Sequence, residues 1–287
     1  MRFGRGRQSD NVEDRRGGGF GGGLPVGGKG IGIGTIVIAL IAMYFGVDPS
    51  VVLNQGLTQG EPVAEQAAPP PPADDEMARF VSLVLADTED TWHALFRERG
   101  KTYQEPKLVL YTGSTPTACG TGQAAMGPFY CPGDEKVYID LAFYQDLKSR
   151  FRAPGDFAQA YVIAHEIGHH VQHLLGISEQ VQSARQRVGE AEANQLSVRL
   201  ELQADCLSGV WAHHADKARQ VLEEGDLEEA LTAAAAIGDD RLQKQAQGHV
   251  VPDSFTHGSS AQRVRWFRKG LSDGRMAACN TFKATSL

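Results

Sequence analysis

The hexapeptide His-Glu-Ile-Gly-His-His at residues 165–170 restricts the fold more than any other part of the sequence. It contains the pattern H-E-x-x-H, in which His165 and His169 stand four residues apart. On an α-helix such a pair leaves the same face, so both imidazoles can bind one zinc ion. Glu166 is then the candidate base for a water on that ion. The pattern predicts a helix and a metal site that needs a further ligand from elsewhere.

Charge is distributed unevenly along the 287 residues. Residues 1–30 hold six basic and three acidic side chains, a net charge of +3. Because the whole chain has a net charge of −7, the remaining residues carry −10. An acidic main domain argues against nucleic acid as a partner. We expect the basic, Gly-rich residues 1–30 to form a solvated cytoplasmic tail, and RNA binding by this tail is the less favoured alternative.

Residues 31–47 (IGIGTIVIALIAMYFGV) carry no charged side chain. As a helix they would span roughly 25 Å, slightly less than a bilayer core of about 30 Å, and Lys29 can extend the span. A buried core helix would need partners that the Gly- and Pro-rich flanks do not offer. Because no clear cleavage site indicates a removable signal peptide, we predict an uncleaved transmembrane helix. The positive-inside rule then predicts a single-pass bacterial inner-membrane protein with a cytoplasmic N-terminus and a periplasmic or extracellular domain.

All four cysteines follow the predicted anchor, which agrees with a compartment where disulfides persist. Four cysteines allow three pairings. Cys119 with Cys131 would close a short local loop and leave Cys206 with Cys279 as a long-range link. A cysteine-ligated zinc site is the weaker interpretation, because the chain has no C-x-x-C spacing.

The chain divides into the tail at 1–30, the anchor at 31–47, a Pro-rich linker at 48–75 and a domain at 76–287. Hydrophobic periodicity predicts helices at 75–98, at 156–176, at 179–216 with a break at Gly189, at 226–245 and at 261–271, and strands at 107–111 and 136–141. Asp156 is expected to cap the motif helix, Gly176 to end it, and Ser259 or Ser260 to cap the last helix. A Gly-rich loop is expected at 120–133. The predicted class is α+β, mainly helical, with a small sheet before the H-E-x-x-H helix.

The third metal ligand has to come from outside the motif, because a hydrolytic zinc site usually takes three protein ligands and a water. A metzincin would have glycine at position 172 and histidine at 175, where this chain has Gln172 and Leu175. His170 is turned by about 100° from its neighbour around the helix axis. His173, one turn beyond the motif, cannot easily complete a tetrahedron. We expect both histidines to be structural.

Glu201 is the better candidate for the third ligand. Glu201 and Asp205 are four residues apart and face the same way from a second helix whose surroundings are largely apolar. Two carboxylates in such surroundings need a partner, which argues against a solvated charged face. We predict that Glu201 binds the metal and that Asp205 accepts a hydrogen bond from the non-ligating nitrogen of a ligand histidine.

An H-E-x-x-H motif followed, 32 residues after its second histidine, by E-x-x-A-D resembles the gluzincins, zinc peptidases with two histidines and one glutamate. The chain is similar in particular to the bacterial putative neutral zinc metallopeptidases. This likeness extends through TACG at 117–120, GPFYCP at 127–132 and FTHG at 255–258, and spares only the linker. The resemblance implies a zincin-like fold, Zn²⁺ as cofactor and hydrolysis of peptide bonds, without naming a substrate.

The residues then suggest a mechanism for a membrane-anchored zinc metallopeptidase. Glu166 takes a proton from a zinc-activated water and delivers it to the leaving amine. An edge strand from 123–130 or 136–141 is expected to pair with an extended peptide or protein substrate. His257 is the candidate donor to the transition state, and Tyr130 is the runner-up.

Two other functions remain open at this stage. The chain could be a non-catalytic, zinc-stabilised envelope scaffold or peptide-binding protein. Glu166 favours the enzyme, because a structural zinc site normally closes its fourth position with another protein ligand. The third interpretation is a latent enzyme whose cleft is covered by the loop at 120–133.

Overall fold

The computed structural model describes residues 1–3, 6–17, 68–124 and 127–287. This part of the chain is mainly helical with a small sheet, which confirms the predicted α+β class. The helices are α1 (Glu76–Arg97), α2 (Ala142–Ser149), α3 (Asp156–Leu174), α4 (Ile177–Arg185), α5 (Glu190–Arg219), α6 (Asp226–Ala236), α7 (Asp239–Gln247) and α8 (Ser260–Asp273). The strands are β1 (Val12–Asp14), β2 (Lys107–Tyr111), β3 (Ser114–Thr117), β4 (Gly120–Gln123), β5 (Phe129–Cys131) and β6 (Lys136–Asp140). Short 3₁₀ turns follow α7 and α8.

Four of the strands form one sheet in the order β1-β2-β6-β5. Strands β1 and β6 run parallel to β2, and β5 runs antiparallel to β6. The two inner strands, KLVLY and KVYID, are buried over all but their first residue, as expected when both faces of a parallel pair are covered. Both lie where the sequence predicts strands.

The loop predicted at 120–133 contains two strands. Strand β4 pairs with β3 as an antiparallel hairpin, and β5 forms one edge of the main sheet. The sequence of β4, GTGQ, has no alternation of apolar and polar residues, so its periodicity gives no strand signal. Strand β4 forms because its backbone hydrogen-bonds to β3, and the sequence of β4 alone does not predict this pairing.

The prediction of a separate tail at 1–30 is wrong for residues 1–16. These residues belong to the same compact unit as residues 69–287, and β1 extends the sheet beside Leu108–Leu110. The tail prediction relied on the balance of charge, but the structure pairs Arg7 with Glu89 and Arg16 with Asp75. A three-residue strand is also too short to show a period.

The predicted anchor at 31–47 lies outside the described residues, as does the linker at 48–75 up to residue 67. Among the helices that are described, none has the length and apolar character needed to cross a membrane.

Helix α3 carries the motif and begins one residue earlier than predicted. Asp156 is its first residue, and the cap position is Gly155, whose φ of 122° suits a glycine. Glu229 replaces a local cap, because its Oε2 accepts the Phe157 amide hydrogen at 3.1 Å. The helix ends before Gly176, which has a φ of 71° and donates to the His173 carbonyl, as the sequence predicts.

The other helix boundaries are largely as predicted. The break expected at Gly189 separates α4 from α5, and Ser259 caps α8 in a capping box with Gln262. The single helix predicted at 226–245 is wrong: it is divided into α6 and α7 at Gly238. The chain at Gly238 lies against the first residue of α8, because a β-carbon at Gly238 would lie 2.4 Å from the Ser260 amide nitrogen. The break between α6 and α7 is at this contact.

Two disulfides join the four cysteines in the pairing Cys119–Cys131 and Cys206–Cys279. The first connects the β3–β4 hairpin to the edge strand β5. The second connects the middle of α5 to the 3₁₀ turn at Met276–Cys279 that follows α8. The second disulfide therefore ties the two helices that meet behind the metal-binding motif.

Candidate metal centre

Three helices approach one another closely behind the H-E-x-x-H motif. A β-carbon at Gly168, inside the motif, would lie 3.0 Å from the Ala204 carbonyl oxygen, so only a glycine lets α5 come this near. On the far side of α5, a β-carbon at Gly270 would lie 1.9 Å from the Cys206 carbonyl oxygen, so α8 is equally close. These backbone contacts bring side chains of α5 and α8 to the motif.

The side chains of His165, His169 and Glu201 converge on one point. Nε2 of His165 lies 3.2 Å from Nε2 of His169 and 3.2 Å from Oε2 of Glu201. The distance from Nε2 of His169 to Oε1 of Glu201 is 3.4 Å. A tetrahedral zinc ion with bonds of about 2.0–2.1 Å holds its ligand atoms about 3.3–3.4 Å apart. The three side chains therefore fit a zinc ion as they stand.

Each histidine is oriented through its other nitrogen. Nδ1 of His165 lies 2.9 Å from Oδ1 of Asp205, and Nδ1 of His169 lies 2.9 Å from Oε1 of Gln172. Gln172 is itself held, because its amide donates to the Leu200 carbonyl at 2.7 Å. An acceptor at Nδ1 fixes the tautomer that leaves Nε2 as the metal ligand. Asp205 thus lies where the sequence predicts it.

Asp205 is fully buried, and Arg263 and Tyr161 contact its carboxylate in addition to the His165 ring. The Arg263 guanidinium donates from Nε to Oδ2 at 3.0 Å and from Nη2 to Oδ1 at 2.9 Å. The Tyr161 hydroxyl donates to Oδ1 at 2.5 Å. Burial acts to raise the pKa of Asp205, but the charges and hydrogen bonds of Arg263 and His165 together outweigh it and hold that pKa below its ordinary value. Asp205 is therefore a fixed anion in contact with His165.

The carboxylate of Glu201, the candidate metal ligand, is also held in its ionised form by its neighbours. Burial acts to raise the pKa of Glu201, and the imidazoles of His169 and His165 outweigh it and lower that pKa well below its usual range. A carboxylate that stays ionised is ready to bind a cation.

Glu166 lies beside the three ligands and differs from them in its electrostatics. It is 7% exposed, and burial raises its pKa above the ordinary value for a glutamate. A raised pKa brings a carboxyl group closer to the range in which it can both accept and return a proton near neutral pH. The neighbouring carboxylate Glu201 acts in the same direction.

His257 lies near the centre but is held by a different helix. Its amide donates to Oδ2 of Asp239 at 2.6 Å, and its Nδ1 lies 3.2 Å from Oδ1 of the same carboxylate. This hydrogen bond, together with the charge of Glu201, raises the pKa of His257. The side chain is 52% exposed, and Nε2 makes no hydrogen bond to the described residues. With Nδ1 directed at Asp239, the ring can donate from Nε2 as the imidazolium, the form that its raised pKa favours.

Tyr130, the alternative donor, is committed to His170. Nε2 of His170 lies 2.7 Å from the Gln104 carbonyl, so it carries the proton, and Nδ1 accepts from the Tyr130 hydroxyl at 3.0 Å. Burial lowers the pKa of His170 to about 4, which keeps the ring neutral. His173 contacts Glu179 at 2.6 Å. Neither histidine reaches the cluster, in agreement with the prediction that both are structural.

Sequence reasoning missed three residues of this centre: Tyr161, Gln172 and Arg263. Arg263 carried a signal, because it shares the buried face of α8 with Trp266, Phe267 and Gly270 at helical spacing. A charged residue on the apolar face of a helix needs a buried partner of opposite charge. Tyr161 precedes His165 by one turn and had no distinguishing feature in the sequence.

Two imidazoles and one carboxylate, with an unbonded glutamate alongside, form the donor set that catalytic zinc sites of peptidases use. A family model described as putative neutral zinc metallopeptidase matches residues 1–282, and this chain belongs to that family. The uncharacterized protein YpfJ of Escherichia coli K12 is 56% identical over 291 residues, covering 98% of this chain and 99% of that protein. The uncharacterized protein Mb2605 of Mycobacterium bovis is 39% identical over 263 residues, covering 86% of each. None of the solved structures matches this chain.

Proposed function

We propose that this protein is a zinc metallopeptidase that hydrolyses peptide bonds. The observation that carries the proposal is the convergence of His165, His169 and Glu201: the two Nε2 atoms lie 3.2 Å apart, and each lies 3.2–3.4 Å from one of the two Glu201 carboxylate oxygens. Family membership supports the same chemistry. The three donors leave a fourth position of a tetrahedral ion for water, and Glu166 stands beside that position.

The chain's own residues supply the proton transfers. A zinc ion held by His165, His169 and Glu201 would supply a Lewis acid that lowers the pKa of a water towards about 7. Glu166, whose pKa burial raises, would accept a proton from the attacking water and return it to the leaving amine. Asp205 and Gln172 keep both imidazoles in the orientation that the metal needs. Nε2 of His257 donates to the oxygen on which negative charge develops.

The substrate proposed is an extended peptide that pairs with the edge strand β5. Strand β5 packs against the motif helix and has a partner on one side alone, β6, within the described sheet. The alternative edge at 136–141 is excluded, because β6 lies between β2 and β5. An open edge next to the motif helix fits a zincin-like arrangement, in which main-chain hydrogen bonds hold the peptide.

We also propose that the domain acts outside the cytoplasm and is attached to a membrane through residues 31–47. Two disulfides in the domain support an oxidising compartment.

The experiment that tests the proposed activity compares three forms of the full-length protein in detergent: wild type, Glu166→Gln and Glu192→Gln. Glu192 is exposed on α5 and serves as the control. Cleavage of an unfolded protein is followed with and without a chelator, and zinc is measured by metal analysis. We expect Glu166→Gln to lose about 10²–10⁴-fold in rate while zinc content stays unchanged.

The alternative, a zinc-stabilised scaffold without activity, makes a different prediction for the same experiment. Wild type would then bind zinc stoichiometrically, and no cleavage would respond to the chelator or to Glu166→Gln.

A further inference from the structure

A buried carboxylate in the middle of α1 is held by the first residues of the chain. Glu89 is fully buried, and its carboxylate accepts from Arg7 Nη2 at 2.7 Å, from the Ser9 hydroxyl at 2.5 Å and from the Asn11 amide at 2.9 Å. Among the described residues, its hydrogen bonds come from this segment alone. A buried ion without partners is strongly unfavourable, so Glu89 requires the segment to be docked.

Backbone hydrogen bonds fix the same segment in register. The Ser9 amide donates to the Ser82 carbonyl at 3.1 Å, and the Ser82 hydroxyl donates back to the Ser9 carbonyl at 3.0 Å. Strand β1 then pairs residue by residue with Leu108–Leu110. Residues 1–16 are therefore an integral part of the sheet, and β2 would be an open edge without them.

The chain leaves this unit and returns to it at neighbouring points. The Asp14 amide donates to the Pro69 carbonyl at 2.9 Å, and Arg16 contacts Asp75 at 2.6 Å. The described residues that flank the uncharged run at 31–47 in sequence are therefore in contact with each other.

We propose that residues 1–16 and 69–287 lie on the same side of the membrane. A single crossing places its two ends on opposite sides of a hydrocarbon core about 30 Å thick. The contacts of Glu89 span 2.5–2.9 Å, so a docked segment and a single crossing exclude each other. This proposal replaces the predicted cytoplasmic N-terminus.

The test labels thiols in cells that express the full-length protein. The native cysteines are all in disulfides, so one added cysteine gives one free thiol. Gln8→Cys reports on the segment and Lys101→Cys reports on the domain, and both positions are exposed. A maleimide that cannot cross the inner membrane is applied to cells with a permeabilised outer envelope, before and after the inner membrane is ruptured.

We expect both positions to react to the same extent before rupture. Labelling of position 101 before rupture and of position 8 only after it would overturn the proposal. The readout does not depend on zinc or on peptidase activity, so it is independent of the proposed function. Because both substitutions are at exposed sites outside the hydrogen-bond network, folding of the variants is preserved, and zinc content of each provides the check.

Discussion

The metal centre and the docked N-terminal segment are built on the same principle and differ in how far the sequence reveals them. In the metal centre, Asp205 is a buried anion that Arg263 and Tyr161 hold in contact with His165. In the segment, Glu89 is a buried anion held by Arg7 and its neighbours. Both need charged or polar donors from a distant part of the chain. The donors at Asp205 organise a site, and those at Glu89 join an end of the chain to its domain.

The difference lies in the spacing of the participating residues. The ligands of the centre follow helical spacing, so H-E-x-x-H and E-x-x-A-D can be read from the sequence alone. The partners of Glu89, which are Arg7, Ser9 and Asn11, lie on the other side of an apolar run, and their alternation involves polar side chains, so hydrophobic periodicity does not detect it. Long-range pairing of this kind leaves no local pattern, and the basic residues of the segment look like a solvated tail.

The largest expected effect is a loss of zinc binding, which should affect the metal centre and leave the N-terminal segment unchanged. Glu201→Ala should weaken zinc binding by about 10³-fold or more, because zinc binding of about 10–16 kcal/mol is shared among few ligands. Zinc content after dialysis measures this. Glu192→Ala on the same helix is the control and should bind normally, as should the Glu89 variant described below. Full zinc occupancy in Glu201→Ala would exclude Glu201 as a ligand.

Arg263→Met should lower the free energy of unfolding by about 3–5 kcal/mol, because Asp205 keeps its buried charge and loses its partner. Zinc affinity should also fall by about 10–100-fold, since Asp205 would no longer hold His165 in place. Denaturant unfolding and competition with a chelator measure the two effects. The matched control is Arg265→Met, which is exposed on the same helix and should change neither. Equal zinc affinity in both variants would show that Arg263 serves folding alone.

Glu89→Ala should lower the free energy of unfolding by about 1–3 kcal/mol, because buried donors of the segment lose their acceptor. Amide exchange in residues 6–14 should become faster, and zinc content should stay the same. Asp90→Ala is the control, because Asp90 also contacts Arg7 but is exposed. If zinc were lost with Glu89→Ala, the two regions would be coupled and not separate.

The smallest expected effect is a dependence of docking on pH. A hydrogen bond from Arg16 lowers the pKa of Asp14, and the Ala78 amide together with Arg16 lowers the pKa of Asp75, both from an ordinary value of 3.8. Stabilisation by these carboxylates is complete above that value and is lost as the pH falls through the lowered pKa. The protection of the segment's amides, corrected for the intrinsic exchange rate at each pH, should therefore fall below pH 3.8 in wild type and be less pH-dependent in Arg16→Met. An unchanged profile in the variant would show that this ion pair does not secure the segment.

The sequence predicted those parts of the fold and the site that depend on local spacing. The helix of His165 and His169, the break at Gly189 and the roles of Gly176 and Ser259 agree with the structure. The break at Gly238 was missed because it results from contact with α8. Arg263 and Gln172 were missed as partners of the centre because their contacts depend on how the helices pack together. The positions of the glycines in the sequence do not predict that packing.

The contact between the Asp14 amide and the Pro69 carbonyl has a consequence for protein engineering. A domain produced from residue 76 onwards would lack β1 and expose the edge of β2, with apolar Leu108 and Leu110, as a template for aggregation. Joining residue 17 directly to residue 68 would instead keep the four-stranded sheet and remove the apolar run. The result would be a shortened, water-soluble chain suited to crystallisation with a peptide at β5.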